Sequence, residues 1–554
     1  MRALLSVSAL LFLVVFTGCG EKISDEAPVR LDDMAAAERV TGLAMTDTER
    51  HLMQEDLTDL RHSYATLRAL DLPNAAWPAL LLSPEIVPGT VDGPAPIFSP
   101  VEAIDRPDNL DDLAFANVGQ LSHLIRTRQV SCVELTELAL ARLEKFGPKL
   151  ACVITLTPER ARARARDLDR LLDRGQWLGP LHGIPFGAKD LLAVEGYPTT
   201  WGATPYKDQT LNETATVVKN LDAAGAVLVA KLTLGALAWG DVWFGGTTKN
   251  PWNLEQGSSG SSAGSASAVS AGLVPFAIGT ETWGSIVSPS TRCYVTGLRP
   301  TYGRVSRQGA MALSWSMDKI GPIARTVEDC ALVFDAIRGP DGLDPTLLDR
   351  PFSYTPGLDL TGLRVGYLKS VFDEEDDPLD QASLEILRDL DVDLIPVEMP
   401  HHRLGIDPSA LAFILSAEAG AVFQNLTLSG DDDLLVRQVR YAWPNTFRQA
   451  QYIPAVEYIQ ANRARRQIMA GMAEMFTDID VYVTPSFGGD NLLVTNLTGH
   501  PQVVVPNGFD ADGDNHSISF VGDLFDEAAV LKVARAYQEA SLWHDQHPKG
   551  YELD

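Results

Sequence analysis

Basic residues are scarce in this chain of 554 residues: 45 Lys plus Arg stand against 73 Asp plus Glu, a formal net charge of −28 at pH 7. Binding phosphates needs a concentrated basic surface, so nucleic acid is excluded as the main partner. Cysteine is scarcer, with five residues and no CxxC pair or Cys/His cluster of zinc spacing, which excludes a disulfide-dense scaffold. Neither the G-x-S-x-G nucleophile elbow nor a P-loop fits: no GxxxxGK[ST] occurs, and GAKD at 187–190 lacks the Walker spacing. None of the ten histidines stands in the setting of a Ser-His-Asp base; His182 in PLHGIP reads as a packed loop histidine. What remains is an ordinary globular mix, 45% apolar and 21% charged. Its length implies one large domain with additions, or two to three domains.

The chain opens MRALLSVSALLFLVVFTGCG, with Arg2 followed by an apolar run from Ala3 to Phe16. That run is too short to span a bilayer as a helix and suits the core of a signal peptide. Phe16-Thr17-Gly18-Cys19 looks like a bacterial lipobox, with Phe16 in place of the usual Leu. The expectation is a signal peptide over 1–18, a lipid on Cys19, and an exported, membrane-anchored lipoprotein. An exported enzyme has neither ATP nor charged tRNA at hand, so its chemistry must run on hydrolysis. The four later cysteines have scattered spacing, which predicts buried free thiols.

From Leu31 to about Leu82 apolar residues recur at helical spacing, with Thr46 or Thr48 as N-cap, and a proline-punctuated connector follows. Residues 19–112 read as a helical N-terminal extension with a packing role. From about Leu113, helical segments such as CVELTELALARLEKF and ERARARARDLDRLLDRG alternate with the β-branched runs ACVITL, AVLVAKL, LRVGYLK, VDLIPVEM, DVYVTP and PQVVVP. This alternation predicts one α/β domain over 113–554 around a buried sheet. The arginines of ERARARARDLDR fall on more than one helix face, which predicts a solvated, self-paired helix.

GSSGSSAGSASAVSAG, Gly257 to Gly272, has linker composition but lies between the NPWN loop and the apolar run LVPFAIGT. Ala and Val in its second half have helical spacing, so it also reads as a Gly/Ser loop feeding a helix N-terminus, where serine hydroxyls and free N–H groups are presented. A serine hydrolase without a suitable histidine needs another proton acceptor. A lysine among apolar neighbours can serve, because burial disfavours its charged form.

GPLHGIPFGAKDLLAVEGYPTT, KNPWN, GSSAGSASAVSAG, GTETWGSIVSP and GLRPTYGRVSRQGAMALSWSMDKIGPIARTVEDCALVFDAI resemble the amidase signature family in order and spacing. The similarity runs from about Leu113 to Gly339 and resumes at TNLTGHPQVVVPNGF and SFVGDLFDEAAVLKVARAYQEAS. The resemblance implies an α/β amidase signature fold: a large mixed central sheet covered by helices on both faces. It further implies hydrolysis of a small-molecule or peptide amide, with no metal and no organic cofactor. Residue by residue, the family's lysine falls on Lys189, its bridging serine on Ser261 and its nucleophile on Ser285. Anchoring on AVSAGLVPF sets this register, with Ser261 and Ser285 separated by 24 positions, and makes Ser258 a decoy. The implied oxyanion donors are the N–H groups of Thr282, Trp283, Gly284 and Ser285, each worth about 3–4 kcal/mol at the transition state. Ser262 would support the relay, and the peptide bond before Ser261 would be cis.

Four positions depart from the family pattern. Glu281 stands for Asp, Trp283 for Gly, Val287 for Arg, and Ala263 for Gly. Trp283 requires that its backbone does not need a positive φ, or that the loop is altered. Arg292, five positions after Val287, is the candidate to cover the lost charge near Glu281. Two rivals accompany the amidase reading: the glutaminase subunit of a tRNA-dependent amidotransferase, and a lipid-tethered binding protein that has lost catalysis. In residues 340–480, Tyr441, Trp443 and Phe447 are candidates for an acyl pocket, with helix packing as their expected role.

Overall fold

The computed structural model describes residues 28–70, 93–100 and 103–553; residues 1–18, Cys19 and most of the proline-punctuated connector lie outside them. The described chain begins with α1 (Leu31–Thr41) and α2 (Asp47–Ala69). Thr46 is the N-cap of α2: its hydroxyl accepts from the Glu49 N–H while the Glu49 carboxylate accepts from the Thr46 N–H. This reciprocal capping box fixes the helix start. Met34, Met53 and Leu57 join the two helices in a small apolar cluster. Further along α2, Tyr64 meets Phe413 edge-on at 5.5 Å and ties the extension to the body of the molecule.

Helices α3 (Val118–Arg126), α4 (Cys132–Leu150) and α5 (Pro158–Asp173) lie where their apolar spacing predicts. On α5 the arginines are paired, but against the expected self-pairing mostly with other elements: Arg162 with Glu137 and Arg160 with Asp222, against Arg170 with Asp167 on the helix itself. Four more helices matter for the site or its frame: α6 (Thr216–Ala223), α7 (Ala263–Ser270), α8 (Val287–Cys293) and α9 (Val327–Ile337).

Eleven strands form one sheet: β1 (Val153–Leu156), β2 (Pro185–Lys189), β3 (Val227–Leu232), β4 (Phe276–Glu281), β5 (Thr296–Arg299), β6 (Lys319–Ala324), β7 (Val365–Leu368), β8 (Ile395–Val397), β9 (Val481–Pro485), β10 (Gln502–Phe509) and β11 (Asn515–Gly522). Their order across the sheet is β1-β3-β2-β4-β6-β5-β10-β11-β9-β7-β8. Parallel pairing joins β3, β2 and β4 on one side and β9, β7 and β8 on the other; the strands between are antiparallel. Strands β2, β3, β5, β6 and β9 are buried along their whole length. Successive side chains point to opposite faces, so both faces of the sheet are covered. Helix α7 packs on β2, β3 and β4, and the helix Glu527–Ser541 packs on β10 and β11.

Cys132, Cys152, Cys293 and Cys330 are buried free thiols. Burial raises all four, Cys152 to about 12. Among the described residues no helix is long and apolar enough to cross a membrane.

Candidate active site

Strands β2 and β4 lie side by side in parallel, with Ala188 opposite Ile278. Their carboxyl ends therefore bring Lys189 and the segment Thr280–Glu281 to one edge of the sheet, the edge where open α/β sheets hold ligands. The Gly/Ser tract reaches the same edge as a loop feeding the start of α7, which places Ser261 and Ser262 over the end of β2. Gly260 is sterically required there, since a Cβ would lie 1.9 Å from the Gly240 carbonyl oxygen. The Gly260–Ser261 peptide bond is cis.

Lys189 is fully buried. Its Nζ lies 2.8 Å from Ser261 Oγ, 3.0 Å from Ser262 Oγ and 2.8 Å from Thr280 Oγ1. Among the described residues no carboxylate is within ion-pair distance: Asp190 is held by Lys231 at 2.6 Å and Glu281 by Arg299 at 2.8 Å. Burial pushes the Lys189 amine well below the ordinary lysine range, against the smaller opposing pull of Asp318 and Glu281. Hydrogen accounting orders this group. Ser262 Oγ donates to the Thr280 carbonyl and accepts from the Thr280 N–H, both at 3.1 Å, so toward Lys189 it can only accept. The Thr280 carbonyl, 3.3 Å from Nζ, is a further acceptor, so a neutral amine has acceptors for both of its N–H bonds and a lone pair that can accept the Ser261 hydroxyl.

Ser285 sits beside this group, and its carbonyl accepts the Ser262 N–H at 3.1 Å. The loop that carries it is anchored at three points. The Glu281 carboxylate, fully buried, accepts the N–H groups of Ile286 at 2.7 Å and Val287 at 3.0 Å. Thr282 Oγ1 donates to Asp318 at 2.6 Å. Gly284 turns the loop at φ +83°, while Trp283 keeps an ordinary negative φ, so the backbone tolerates tryptophan at that position. Among the described residues, the N–H groups of Thr282, Trp283, Gly284 and Ser285 have no protein acceptor. Four N–H groups in one turn are thus available to donate outside the protein.

Burial raises the Glu281 carboxyl, but Arg299, with hydrogen bonds from Asn496 and Val287, outweighs it and brings the group down to about 2. The expected partner, Arg292, does not serve: it is exposed on α8, and Arg299 at the end of β5 holds the carboxylate instead. Ser258 is buried away from Lys189 and donates to the Ser259 carbonyl at 2.9 Å. His182 stacks on Trp177 at 4.9 Å with Nε2 3.2 Å from the Leu168 carbonyl, a packed histidine as predicted.

A cavity of about 560 Å³ opens onto Ser285, Thr282 and Trp283. Trp239, Tyr441 and Trp443 line it, whereas Phe447 is fully buried and stacked on Trp443 at 5.1 Å. Packing is thus the role of Phe447, and Trp443, buried and stacked on it, packs in the core as well as lining the cavity. A second cavity of about 530 Å³ lies on the other side of Thr282, against Thr280 and Asp318. Sequence reasoning missed Thr280, Asp318 and Arg299, and it gave the N-terminal extension only a packing role. Asp56, Asp59, Leu60 and Ser63 of α2 line the Ser285 cavity. Nothing in their local pattern marks them, since their position depends on how α2 docks.

The amidase family model matches residues 134–494. The A subunit of glutamyl-tRNA(Gln) amidotransferase from Methylococcus capsulatus is 35% identical over 479 residues, 78% of this chain and 98% of that one. Among solved structures, the peptide amidase of Stenotrophomonas maltophilia superposes with a TM-score of 0.70 at 28% identity, covering 80% of this chain and all of its own. An amidase family protein from Bacillus anthracis gives a TM-score of 0.70 at 27% identity, over 79% of this chain and 94% of that one. The chain belongs to the amidase family and is a hydrolase acting on the C–N bond of carboxylic amides.

Proposed function

We propose that the chain hydrolyses a small-molecule or peptide amide through an acyl-enzyme on Ser285, with Ser261 and Lys189 as its proton relay. The observation that carries this reading is a buried lysine with no carboxylate partner among the described residues, 2.8 Å from the Ser261 hydroxyl. Ser285 Oγ attacks the amide carbon as its proton passes to Ser261, and the Ser261 proton passes to Lys189. The carbonyl oxygen, now negative, is stabilised by the N–H groups of residues 282–285. The relay reverses to protonate the departing nitrogen, the C–N bond breaks, and the acyl group stays on Ser285. Water, deprotonated by the same relay, attacks the ester and releases the acid. A fluorophosphonate probe tests this: wild-type protein is labelled and Ser285→Ala is not. An unlabelled, folded wild type overturns the proposal and favours a binding protein without catalysis.

The likeness to amidotransferase subunits supports a second reading, a glutaminase. The acidic balance of the chain and its N-terminal segment weigh against that reading. Turnover of free glutamine faster than of aryl or peptide amides decides for it.

The same proposal puts the enzyme outside the cytoplasm, tethered by a lipid on Cys19. Its support is the run from Arg2 through Phe16 to Thr17-Gly18-Cys19. Metabolic labelling with a radioactive fatty acid, abolished in Cys19→Ser, tests it; a soluble, unlabelled mature protein overturns it.

A further inference from the structure

We infer that this site selects amides bearing a positive charge, an ammonium or guanidinium, and that Asp59 of α2 is the residue that selects them. The inference rests on the amide-hydrolase reading of Ser285 and goes on to name its substrate class. Among the described residues, the cavity that opens onto Ser285 is lined by two carboxylates, Asp56 and Asp59, and by no lysine, arginine or histidine. Asp56 is engaged: it accepts from Arg440 at 2.6 Å, Gln449 at 2.7 Å and Asn445 at 2.9 Å. Asp59 is less engaged: its side chain is 66% exposed and it accepts one hydrogen bond, from Arg440 at 3.2 Å. That guanidinium also serves Glu55 at 2.7 Å, so three carboxylates share one guanidinium at the cavity mouth; Arg437, on the outer wall beside Trp239 and Gly240, offsets one further charge and leaves a smaller negative excess.

The negative excess lies in a cleft with low-dielectric walls, which focus its field on an incoming cation. Trp283 and Tyr441 present exposed ring surface to the same space. The outer wall already holds a cation of this kind, since Arg437 lies over Trp239 at 4.5 Å and over Tyr441 at 5.9 Å. The second cavity adds no positive excess, because Arg307 and Lys319 there are matched by Glu213, Asp318 and Asp344. A substrate carrying a free carboxylate meets two aspartates in the lining, while Arg437 stands outside them on the outer wall, so like charge disfavours it within the cavity.

Three 4-nitroanilides of matched length test this: 5-aminopentanoyl, pentanoyl and glutaryl, ending in an ammonium, a methyl and a carboxylate. The expected order of kcat/KM is ammonium, neutral, carboxylate, with about tenfold or more between the ends at low salt, shrinking as salt is added. Asp59→Asn narrows the gap, chiefly through KM, and Asp59→Lys reverses the order. Fluorophosphonate labelling of each variant shows that Ser285 is still presented. A preference for the glutaryl substrate, or a ratio unmoved by Asp59→Asn in labelled protein, overturns the inference and leaves the Ser285 reading standing. Should no anilide be cleaved by protein that labels, protection from labelling decides: 5-aminopentanamide must protect at lower concentration than glutaramate, and equal protection overturns the inference. Protein that neither labels nor cleaves overturns the Ser285 reading and this inference together.

Discussion

Arg299 meets Glu281 at 2.8 Å with both side chains fully buried, and the same carboxylate holds the two N–H groups that follow Ser285. One buried ion pair thus sets the shape of the loop that presents the proposed nucleophile. Glu281→Gln leaves Arg299 without a counter-charge, and breaking such a pair costs about 3–5 kcal/mol. Denaturant unfolding of the variant should show a loss of that size together with slow fluorophosphonate labelling. The wild type should also lose stability in acid. With Glu281 held at about 2 against an ordinary 4.5, its contribution is complete above pH 4.5 and disappears as pH falls through about 2.

Lys189 carries the opposite sign. Below its ordinary value of 10.5 the unfolded amine takes a proton that the buried one refuses, so the unfolded state binds more protons and burial costs stability. Stability therefore rises with pH from the lowered native value up to 10.5. Lys189→Met should abolish turnover and yet be more stable than wild type at pH 7, with the gain shrinking near pH 10. Thermal unfolding at the two pH values checks this, and equal loss of stability at both would show that the amine is charged in the fold.

In the kinetics of the wild type, the lowered Lys189 value predicts a base that is already neutral at a pH well below the ordinary 10.5. The pH profile of kcat/KM should level off well below pH 10 and fall on the acid side. A rise that continues up to pH 10 is the contrary outcome.

Ser261 and Ser258 occupy similar local sequence but different places. Ser261→Ala should lower kcat by about a hundredfold or more, while Ser258→Ala, whose hydroxyl meets only a neighbouring carbonyl, should keep most of the activity. Steady-state rates on one amide suffice, and the reverse ranking would show that the register of the Gly/Ser loop is misassigned.

Asp56 joins α2 to the body through Arg440, Asn445 and Gln449. Asp56→Ala should weaken that docking by about 1–3 kcal/mol. Faster hydrogen exchange confined to α2, with KM raised more than kcat is lowered, is the expected result.

How much of this was legible in the sequence follows from side-chain chemistry. Strands β1, β3, β7, β8, β9 and β10 lie in β-branched runs that announce them. Strands β2, β4, β5 and β6 do not, because PFGAK, FAIGTE, TGLR and KIGPIA contain glycine and proline in place of continuous branched residues. These plain strands form the centre of the sheet and carry Lys189, Glu281 and Arg299. Lys189, Ser261 and Ser285 were found through motif spacing, which needs no strand assignment. Thr280, Asp318, Arg299 and the α2 wall had no such marker. Their roles come from neighbours far away in the chain, and only the sheet order and the docking of α2 bring those neighbours close.

The sealed sulfur atoms supply a molecular clock. A maleimide finds no reactive thiolate in the folded protein at Cys132, Cys152, Cys293 or Cys330, because burial both hides each group and disfavours its anion. The rate at which these positions are alkylated therefore reads out the opening of the interior itself, and while the chain stays closed an oxidant in the surroundings has no sulfhydryl there to cross-link.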